Sequence, residues 1–358
     1  MKKISKIIVA LVGLAFVLQM GLGQTGWASD KKVYELTFAW NDIWGPKFRA
    51  SQVYRPGGVL DRMLHERSNG RIDLKIVPRM FPGTDIFKAV ARGKADMGDV
   101  PMPFHSGTYP LWNWGDIPGI VNPDPVKGLE EELAVYEDPD VQEIYNRTMG
   151  KYGLKFWFVT QWDPANGVWS KKEIKSLEDF KGMKIRASGY MGTLGLEALG
   201  ASPVTIAGSE LAPAMMTGTV DGVLTSLGYG YSIGLAKVSD YFTLTPLAPT
   251  WSAVTVLNTK SFEALPEDLQ QVVMEVGREV QRMVRLSTTA EYVMSLDTVE
   301  LSGVKQVKLP DAAYQKALDD CEVVREKWLE LTGDEGKELL AAIEDAVQDY
   351  REMKEELQ

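Results

Sequence analysis

Two segments of the 358-residue chain share one pattern, a short helix that ends on glycine and leads into a short strand. In TDIFKAVARGKADMG (84–98) an aspartate follows Gly93 by three residues, and in SELAPAMMTGTVDGV (209–223) another follows Gly218 at the same spacing. Glycine stops a helix readily because it accepts the left-handed backbone conformation. The two segments are either ordinary helix-to-strand turns or equivalent βαβ units, one in each of two lobes.

Strand and helix signals alternate along the chain, which indicates an α/β fold. A long helical pattern runs from Pro266 to about Leu301, and two further helices are predicted at 311–331 and 334–357. Some 330 residues follow the N-terminal leader, more than a single hydrophobic core usually holds, so we expect two lobes. Four segments have the pattern of strands: 33–39, 71–77, 154–160 and 304–309.

The predicted fold is α/β with two lobes, a ligand cleft between them and a long helix that spans both. The chain crosses between the lobes more than once, so each lobe is discontinuous. Lobe I is predicted to contain residues 29–162, 251–290 and 318–358, and lobe II residues 163–250 and 291–317. The two C-terminal helices are predicted to pack back on lobe I.

The first residues have the features of a secretory signal peptide. Three lysines precede an apolar run from Ile7 to Met20, and Gly26 and Ala28 form a small-residue cleavage site. The run is too short for a permanent membrane-spanning helix. We therefore expect residues 1–28 to be removed after Ala28 and the protein to be periplasmic, with an N-terminal membrane anchor as the alternative.

Composition excludes several classes of function. Loss of the three leader lysines takes the formal charge from −10 to −13, which does not suit binding to nucleic acid. Cys321 is the single cysteine, so no intrachain disulfide is possible. The two histidines have no metal-ligand spacing, and no nucleophile-elbow, zinc-protease or phosphate-loop motif is present. We expect no metal, no cofactor and no enzymatic activity.

The segment FKGMKIRASG (180–189) places Arg186 inside a short apolar strand. Arginine keeps its charge in proteins, so a half-buried arginine needs an anionic partner. The stretch DFKGMKIRASG…LGASPVTIAGSELAPAMMTGTVDG resembles the signature of the solute-binding subunits of tripartite ATP-independent periplasmic (TRAP) transporters. GRIDLKIVP and IFKAVARGKADMG also occur where that family has its first-lobe strand and helix, so the resemblance covers nearly the whole mature chain.

The resemblance implies a two-lobed periplasmic binding protein that delivers a small organic acid to membrane permease subunits. It also implies that Arg186 binds the carboxylate of the ligand with both arms of its guanidinium, whose geometry matches a planar carboxylate. The alternative is an internal ion pair with one of the 49 acidic residues. We expect the ligand to be the partner and the protein to be a monomer.

The chain departs from the family pattern at two positions. Asn166 stands where many members have a second arginine, and Thr225 stands where many have an asparagine. Both changes reduce polar capacity and disfavour a dicarboxylate or a polyhydroxylated acid. Several tryptophans occur where cleft-facing loops are expected. The predicted ligand-binding residues are Arg186, Asn166, Asn41, Thr225, Trp44, Trp162 and Trp251, and Trp40 and Trp169 are also expected near the cleft.

These observations favour a receptor for an organic monocarboxylate with an aromatic or bulky apolar body, such as an aryl or indole acid. Two other functions remain open from the sequence. One is a binding protein of another uptake or sensing system, which would share the fold and the ligand chemistry. The other is an exported enzyme on the same scaffold, which would need a positioned acid, base or nucleophile.

Overall fold

Eleven strands form two sheets in the residues that the computed structural model describes, namely 32–41, 49–164 and 166–357. The predicted signal peptide and Trp44 lie outside these residues. The first sheet contains β1 (Tyr34–Trp40), β2 (Ile72–Pro78), β3 (Met97–Pro101), β4 (Leu154–Gln161) and β10 (Ser252–Asn258). Its strand order is β2-β1-β3-β10-β4, with β1 and β3 parallel and β10 antiparallel to both of its neighbours.

The second sheet is also mixed, with the order β11-β9-β5-β8-β6-β7. Its strands are β5 (Asn166–Ser170), β6 (Lys184–Ala187), β7 (Ser202–Thr205), β8 (Gly222–Ser226), β9 (Tyr241–Leu244) and β11 (Lys305–Lys308). All first-sheet strands fall within the residues predicted for lobe I and all second-sheet strands within those predicted for lobe II. We therefore use lobe I and lobe II for the parts built on the two sheets; the lobe boundaries stay a prediction.

Twelve α-helices surround the sheets in the described residues. None of these helices is long and apolar enough to cross a membrane. They are α1 (Arg49–Tyr54), α2 (Val59–Arg67), α3 (Ile86–Ala91), α4 (Pro125–Glu137), α5 (Pro139–Gly150), α6 (Tyr190–Ala198), α7 (Leu211–Thr217), α8 (Leu227–Ser232), α9 (Thr259–Glu263), α10 (Glu267–Leu301), α11 (Asp311–Asp320) and α12 (Glu322–Glu356).

The repeated sequence pattern corresponds to equivalent βαβ units in the two sheets. Both glycines adopt the left-handed conformation, with φ of 67° and 74°. Asp96 Oδ2 accepts a hydrogen bond from the Thr37 N–H in β1 at 2.7 Å, and Asp221 Oδ2 accepts one from the Lys184 N–H in β6 at 2.8 Å. Each aspartate thus ties the incoming strand to its parallel neighbour, β3 to β1 and β8 to β6. The interpretation of one unit per lobe is confirmed.

The predicted long helix is α10, which contacts both lobes. It packs against β4, α1 and α2 of lobe I and against α8 and β11 of lobe II. Gln281 Oε1 accepts a hydrogen bond from the Val159 N–H at 2.8 Å, and Thr288 Oγ1 donates to the Gln161 carbonyl at 3.0 Å. Gly277 allows close approach to β4, since a Cβ there would lie 2.2 Å from Trp157 Nε1.

The C-terminal helices differ from the prediction in two respects. The first ends at Asp320 instead of residue 331, and the second begins at Glu322 and bends at Gly333, whose φ of 62° and ψ of −139° are not helical. In addition, α11 packs mainly on lobe II, although its Leu318 also approaches Gly119 of lobe I. Its Ala317 and the following Cys321 belong to a hydrophobic core of lobe II, and only α12 packs mainly on lobe I helices.

Candidate ligand-binding site

A cavity of about 850 Å³ is lined by residues of both lobes. This volume falls within the range of small-molecule sites, roughly 300–1,000 Å³. Lobe I contributes Asn41, Arg79, Phe81, Pro82, Gly83 and Phe104; lobe II contributes Arg186, Ser188, Gly208, Ala212, Pro213, Thr225, Tyr229 and Ile233; and two of the connections between the lobes contribute Trp162 and Trp251.

The polar lining residues come from the carboxyl ends of strands. Asn41 directly follows β1, Arg79 directly follows β2, and Thr225 lies near the end of β8. In open α/β sheets, ligands bind in the crevice outside the carboxyl ends of the strands. The cavity therefore occupies the position where this class of fold binds its ligands.

Arg186 is a buried cation in the cavity wall. Its side chain extends from β6, the residue is 6% exposed, and Nε donates to the Ile206 carbonyl at 3.2 Å. Burial lowers the pKa of Arg186 to about 10, an effect that nearby Tyr229 partly offsets, so the side chain remains charged at neutral pH. In the described part of the chain no carboxylate pairs with Arg186. The charge is thus left for an anion in the cavity.

Aromatic side chains form much of the remaining wall. Tyr229 follows β8 on α8, and a Cβ at Gly208 would lie 2.8 Å from its hydroxyl, so glycine there makes room for the ring. Trp162 and Trp251 are both buried. The aromatic lining residues are Phe81, Phe104, Trp162, Tyr229 and Trp251.

Besides Trp251 Nε1, two further polar groups in the lining are buried and lack hydrogen-bond partners in the described residues. They are Asn41 Nδ2 and Thr225 Oγ1, on residues that are 7% and 0% exposed. A buried donor without a partner costs about 1–3 kcal/mol, so such groups call for a bound partner. They lie on opposite lobes, and each faces a cavity that a ligand can enter.

The structure brings together Arg186, Asn41, Thr225, Trp162 and Trp251, five of the seven residues predicted to bind the ligand. Asn166 does not line the cavity, because its Nδ2 donates to the Ala248 carbonyl at 2.7 Å. Trp44 lies outside the described residues. Trp40 and Trp169 are buried away from the cavity, and Trp169 Nε1 donates to the Ser226 carbonyl at 3.2 Å.

Sequence reasoning missed Arg79, Phe81, Phe104 and Tyr229. The first three lie in connections that follow β2 and β3, where no local pattern distinguishes a cavity-facing side chain from a solvent-facing one. The rule that ligands bind at the carboxyl ends of strands offers a signal, since it applies to the segment PRMFPG directly after β2. Tyr229 lies just beyond Thr225, a predicted site residue at the end of β8. The same rule therefore indicates that Tyr229 is near the ligand.

A buried carboxylate supports two of the segments that connect the lobes. Glu132 on α4 accepts hydrogen bonds from the Ser252 hydroxyl and from Gln161 Nε2, the latter at 2.9 Å. Gln161 ends β4 and precedes Trp162, while Ser252 begins β10 and follows Trp251. Burial raises the pKa of Glu132 to about 7, and the hydrogen bonds partly offset this rise. Glu132 therefore holds both crossing segments just outside the cavity.

The molecule is similar in sequence and in structure to known receptors. The model of the bacterial extracellular solute-binding protein, family 7, matches residues 57–331. The chain belongs to this family. A solute-binding protein of Albidiferax ferrireducens is 26% identical to this family 7 protein over 288 residues, 74% of this chain and 81% of the relative. The predicted membership of the TRAP receptor family is confirmed.

Solved structures show the same fold. A Bordetella pertussis extracytoplasmic solute receptor that binds pyroglutamic acid has a TM-score of 0.76 and 19% identity, covering 87% of this family 7 protein and 99% of the receptor. A Desulfovibrio salexigens TRAP periplasmic solute-binding protein with bound orotic acid has a TM-score of 0.75 and 20% identity, covering 88% and 99%. The predicted two-lobed α/β binding-protein fold is confirmed.

Proposed function

We propose that this TRAP-type receptor captures an organic monocarboxylate with an aromatic or bulky apolar body, such as an aryl or indole acid. The observation that carries the proposal is Arg186, a buried cation with no carboxylate partner in the described residues, in a cavity with five aromatic lining residues. Arg186 is the proposed carboxylate anchor, and the aromatic walls are the proposed contact surface for the ligand body.

The energetics favour this ligand class. Hydrogen bonds to charged groups contribute about 1.5–3 kcal/mol each, and a two-armed arginine–carboxylate contact makes two of them. An aromatic body that buries ~150–250 Å² adds several kcal/mol at ~25 cal/mol/Å², and aromatic pairs add about 0.5–1.5 kcal/mol. A sugar acid would place hydroxyl groups against the apolar walls, where groups without partners are costly.

Among the similar solved structures, some bind a ring acid and others bind the acyclic acids acetolactate and pyruvate, so a ring acid is one of the ligand classes that this fold accommodates. Pyroglutamic acid and orotic acid are each a carboxylic acid on a single ring. Asn166, in place of the second arginine of many members, supports one carboxylate instead of two. We propose no catalytic role, consistent with the reported relatives, which are solute-binding proteins.

The proposed cycle has the receptor deliver its ligand, as a monomer, to membrane permease subunits, with which TRAP solute-binding proteins work. We further propose that residues 1–28 direct export and are removed after Ala28. N-terminal sequencing of the exported protein should find Ser29 first. Retention of residues 1–28 would contradict this part of the proposal and leave the ligand assignment intact.

A panel of acids tests the ligand class. Thermal unfolding is measured with sugar acids, C4-dicarboxylates, short aliphatic acids, and aryl and indole acids, including phenylacetate and indole-3-acetate. We expect the aryl or indole acids to raise the melting temperature most. If sugar acids or dicarboxylates stabilise the protein and aromatic acids do not, the aromatic assignment is wrong.

A further inference from the structure

The two lobes make a direct contact close to the cavity. The Tyr190 N–H, at the start of α6 in lobe II, donates to Ser106 Oγ of lobe I at 2.9 Å. Ser106 is 1% exposed, and its hydroxyl donates in turn to the Pro103 carbonyl at 3.0 Å. Gly189 lies against the same groups, since a Cβ there would be 2.4 Å from the Pro103 oxygen and 2.7 Å from Ser106 Oγ. The main chains of the two lobes therefore touch at this point.

The start of α6 is also held by packed apolar side chains. Met191 is 1% exposed and is part of the hydrophobic core of lobe I, against which Leu194 packs as well. Leu196, further along the same helix, belongs to a core of lobe II. Closely packed interiors are poorly compressible and transmit displacements. The first turn of α6 therefore has a fixed place relative to lobe I.

The contact joins two parts of the cavity wall. Arg186, the proposed carboxylate anchor, precedes Tyr190 by four residues. On the lobe I side, Phe104 lines the cavity from the short 3₁₀ helix Met102–His105, which ends directly before Ser106. Rotation of one lobe relative to the other changes distances least next to such a contact. The contact therefore sets the separation between the Arg186 guanidinium and the Phe104 ring.

We propose that the contact of Ser106 with Gly189 and Tyr190 fixes this separation, so that the receptor selects its ligand by the length between carboxylate and ring. Ser106 and Gly189 act through Arg186 and Phe104, and they are therefore positioning residues. The inference rests on the proposed function, because it takes Arg186 as the carboxylate anchor and an aromatic ring as the ligand body. It adds a rule for the spacer between them, which the character of the cavity walls does not supply.

A series of phenyl acids tests the spacer directly. The members are benzoate, phenylacetate, 3-phenylpropionate, 4-phenylbutyrate and 5-phenylpentanoate, and dissociation constants are measured by calorimetry on the mature protein. Along an apolar wall with no fixed spacing, each added methylene tightens binding by about fourfold. We expect instead one best member that binds about tenfold more tightly than the next longer acid, because an extra methylene between two fixed groups is overpacked. A steady increase in affinity along the whole series would overturn the inference.

Two glycines of the same segment give a matched pair of variants. The φ of −155° at Gly189 is open to any residue, so Gly189→Ala acts only through its methyl group. That group has to move about 1 Å from the Pro103 carbonyl to reach an ordinary C···O contact, a distance comparable with the length of one methylene. The preference for the best acid over the next longer acid should therefore be lost. Gly192→Ala is the control and should keep the preference, because its Cβ would lie 3.7 Å from the nearest atom, on Leu224.

Two serines separate ligand selection from stability. Ser106→Ala removes the acceptor of the Tyr190 N–H and should bring the preference toward one. Ser68→Ala is the control, because Ser68 Oγ also accepts from a main-chain N–H, that of Ile72 at 2.9 Å, and donates to a main-chain carbonyl, that of His65 at 3.1 Å. Both variants should lose stability in urea unfolding, but only Ser106→Ala should change the preference. Circular dichroism spectra establish that each variant is folded.

The inference is overturned if Gly189→Ala and Ser106→Ala both keep the wild-type preference, or if Gly192→Ala and Ser68→Ala lose it equally. If Gly189→Ala does not fold, the comparison of Ser106→Ala with Ser68→Ala gives the answer. In each case the series still reports on the proposed function, because binding of its best member should require Arg186. If no phenyl acid binds while sugar acids do, the proposed function fails and the spacer rule fails with it.

Discussion

The main-chain N–H of Trp162 donates to the carbonyl oxygen of Trp251 at 2.9 Å, joining two of the segments that cross between the lobes. Both side chains line the cavity. The same short ladder therefore connects the lobes and forms part of the proposed ligand wall, so a ligand that contacts these indoles also contacts the point about which the lobes would move.

Replacement of Arg186 should remove ligand binding without unfolding the protein. Arg186→Lys keeps the charge but loses the planar fork, so the affinity for indole-3-acetate should fall at least tenfold. Arg186→Ala should abolish binding in calorimetry. The control is Arg282→Lys, whose guanidinium is exposed and pairs with Glu137 at 3.0 Å. Unchanged affinity in Arg186→Ala would rule out Arg186 as the anchor.

The lobes should close on the ligand. Ligands that contact both lobes favour the closed state by their differential affinity, and few residues connect the lobes to absorb the change. Solution scattering should give a smaller radius of gyration with saturating indole-3-acetate than without it. Arg186→Ala under the same conditions should show no change. Identical wild-type curves would indicate a rigid cavity.

Glu132 should make the protein less stable as the pH rises. Its folded pKa of about 7 exceeds the ordinary glutamate value of 4.5, so the folded state binds the proton more tightly than the unfolded state. Its contribution to stability is therefore full below pH 4.5, decreases up to about pH 7 and is level above that. At ~1.4 kcal/mol per pKa unit the loss is about 3 kcal/mol.

The variant Glu132→Gln should remove the contribution of Glu132 to the pH dependence of stability. Denaturant unfolding at pH 5 and pH 8 should show the variant gaining stability relative to wild type as the pH rises. Glu143→Gln, at an exposed carboxylate on the neighbouring helix, is the control for the same change of side chain at the surface. Asp99 and Asp116, whose pKa values burial raises to about 7 and about 6, keep some pH dependence in every variant. A Glu132→Gln difference that does not change with pH would contradict the assignment.

Gly277 should be required for the contact between α10 and β4. Alanine favours a helix by about 1 kcal/mol over glycine, but its methyl group at this position meets the Trp157 indole. We expect Gly277→Ala to lose about 1–3 kcal/mol through overpacking. Gly150→Ala, at the end of α5 with no heavy atom within 4 Å of the added Cβ, should be neutral or slightly stabilising. Urea unfolding gives the free energy of unfolding of both variants. Equal changes in that free energy would argue against a tight contact between α10 and β4.

Local patterns in the sequence predicted the features that depend on neighbouring residues. The βαβ units, the strand that carries Arg186 and the long helix α10 all follow from spacing and glycine stops. The helix break at Cys321 had no such signal, because neither glycine nor proline marks it, whereas Gly333 produces a bend and the helix continues.

Features that depend on distant contacts were not predictable in this way. The Asn166 amide bonds to the Ala248 carbonyl, 82 residues later, which turns it away from the cavity. Arg79 reaches the cavity because its main chain bonds to Trp40 in a neighbouring strand. In both cases the orientation of a side chain is set by a partner that only the assembled sheet brings close.

The position of α10 has a mechanical consequence, because Gln281 and Thr288 bind it to β4 of lobe I while it also packs on α8 and β11 of lobe II. Any rotation of one lobe relative to the other must either bend α10 or slide one end of α10 along the lobe that this end contacts. Close packing of side chains resists even small sliding movements, so bending α10 costs less free energy than sliding it. The curvature of α10 should therefore change as the two lobes close, and its value would measure the extent of closure.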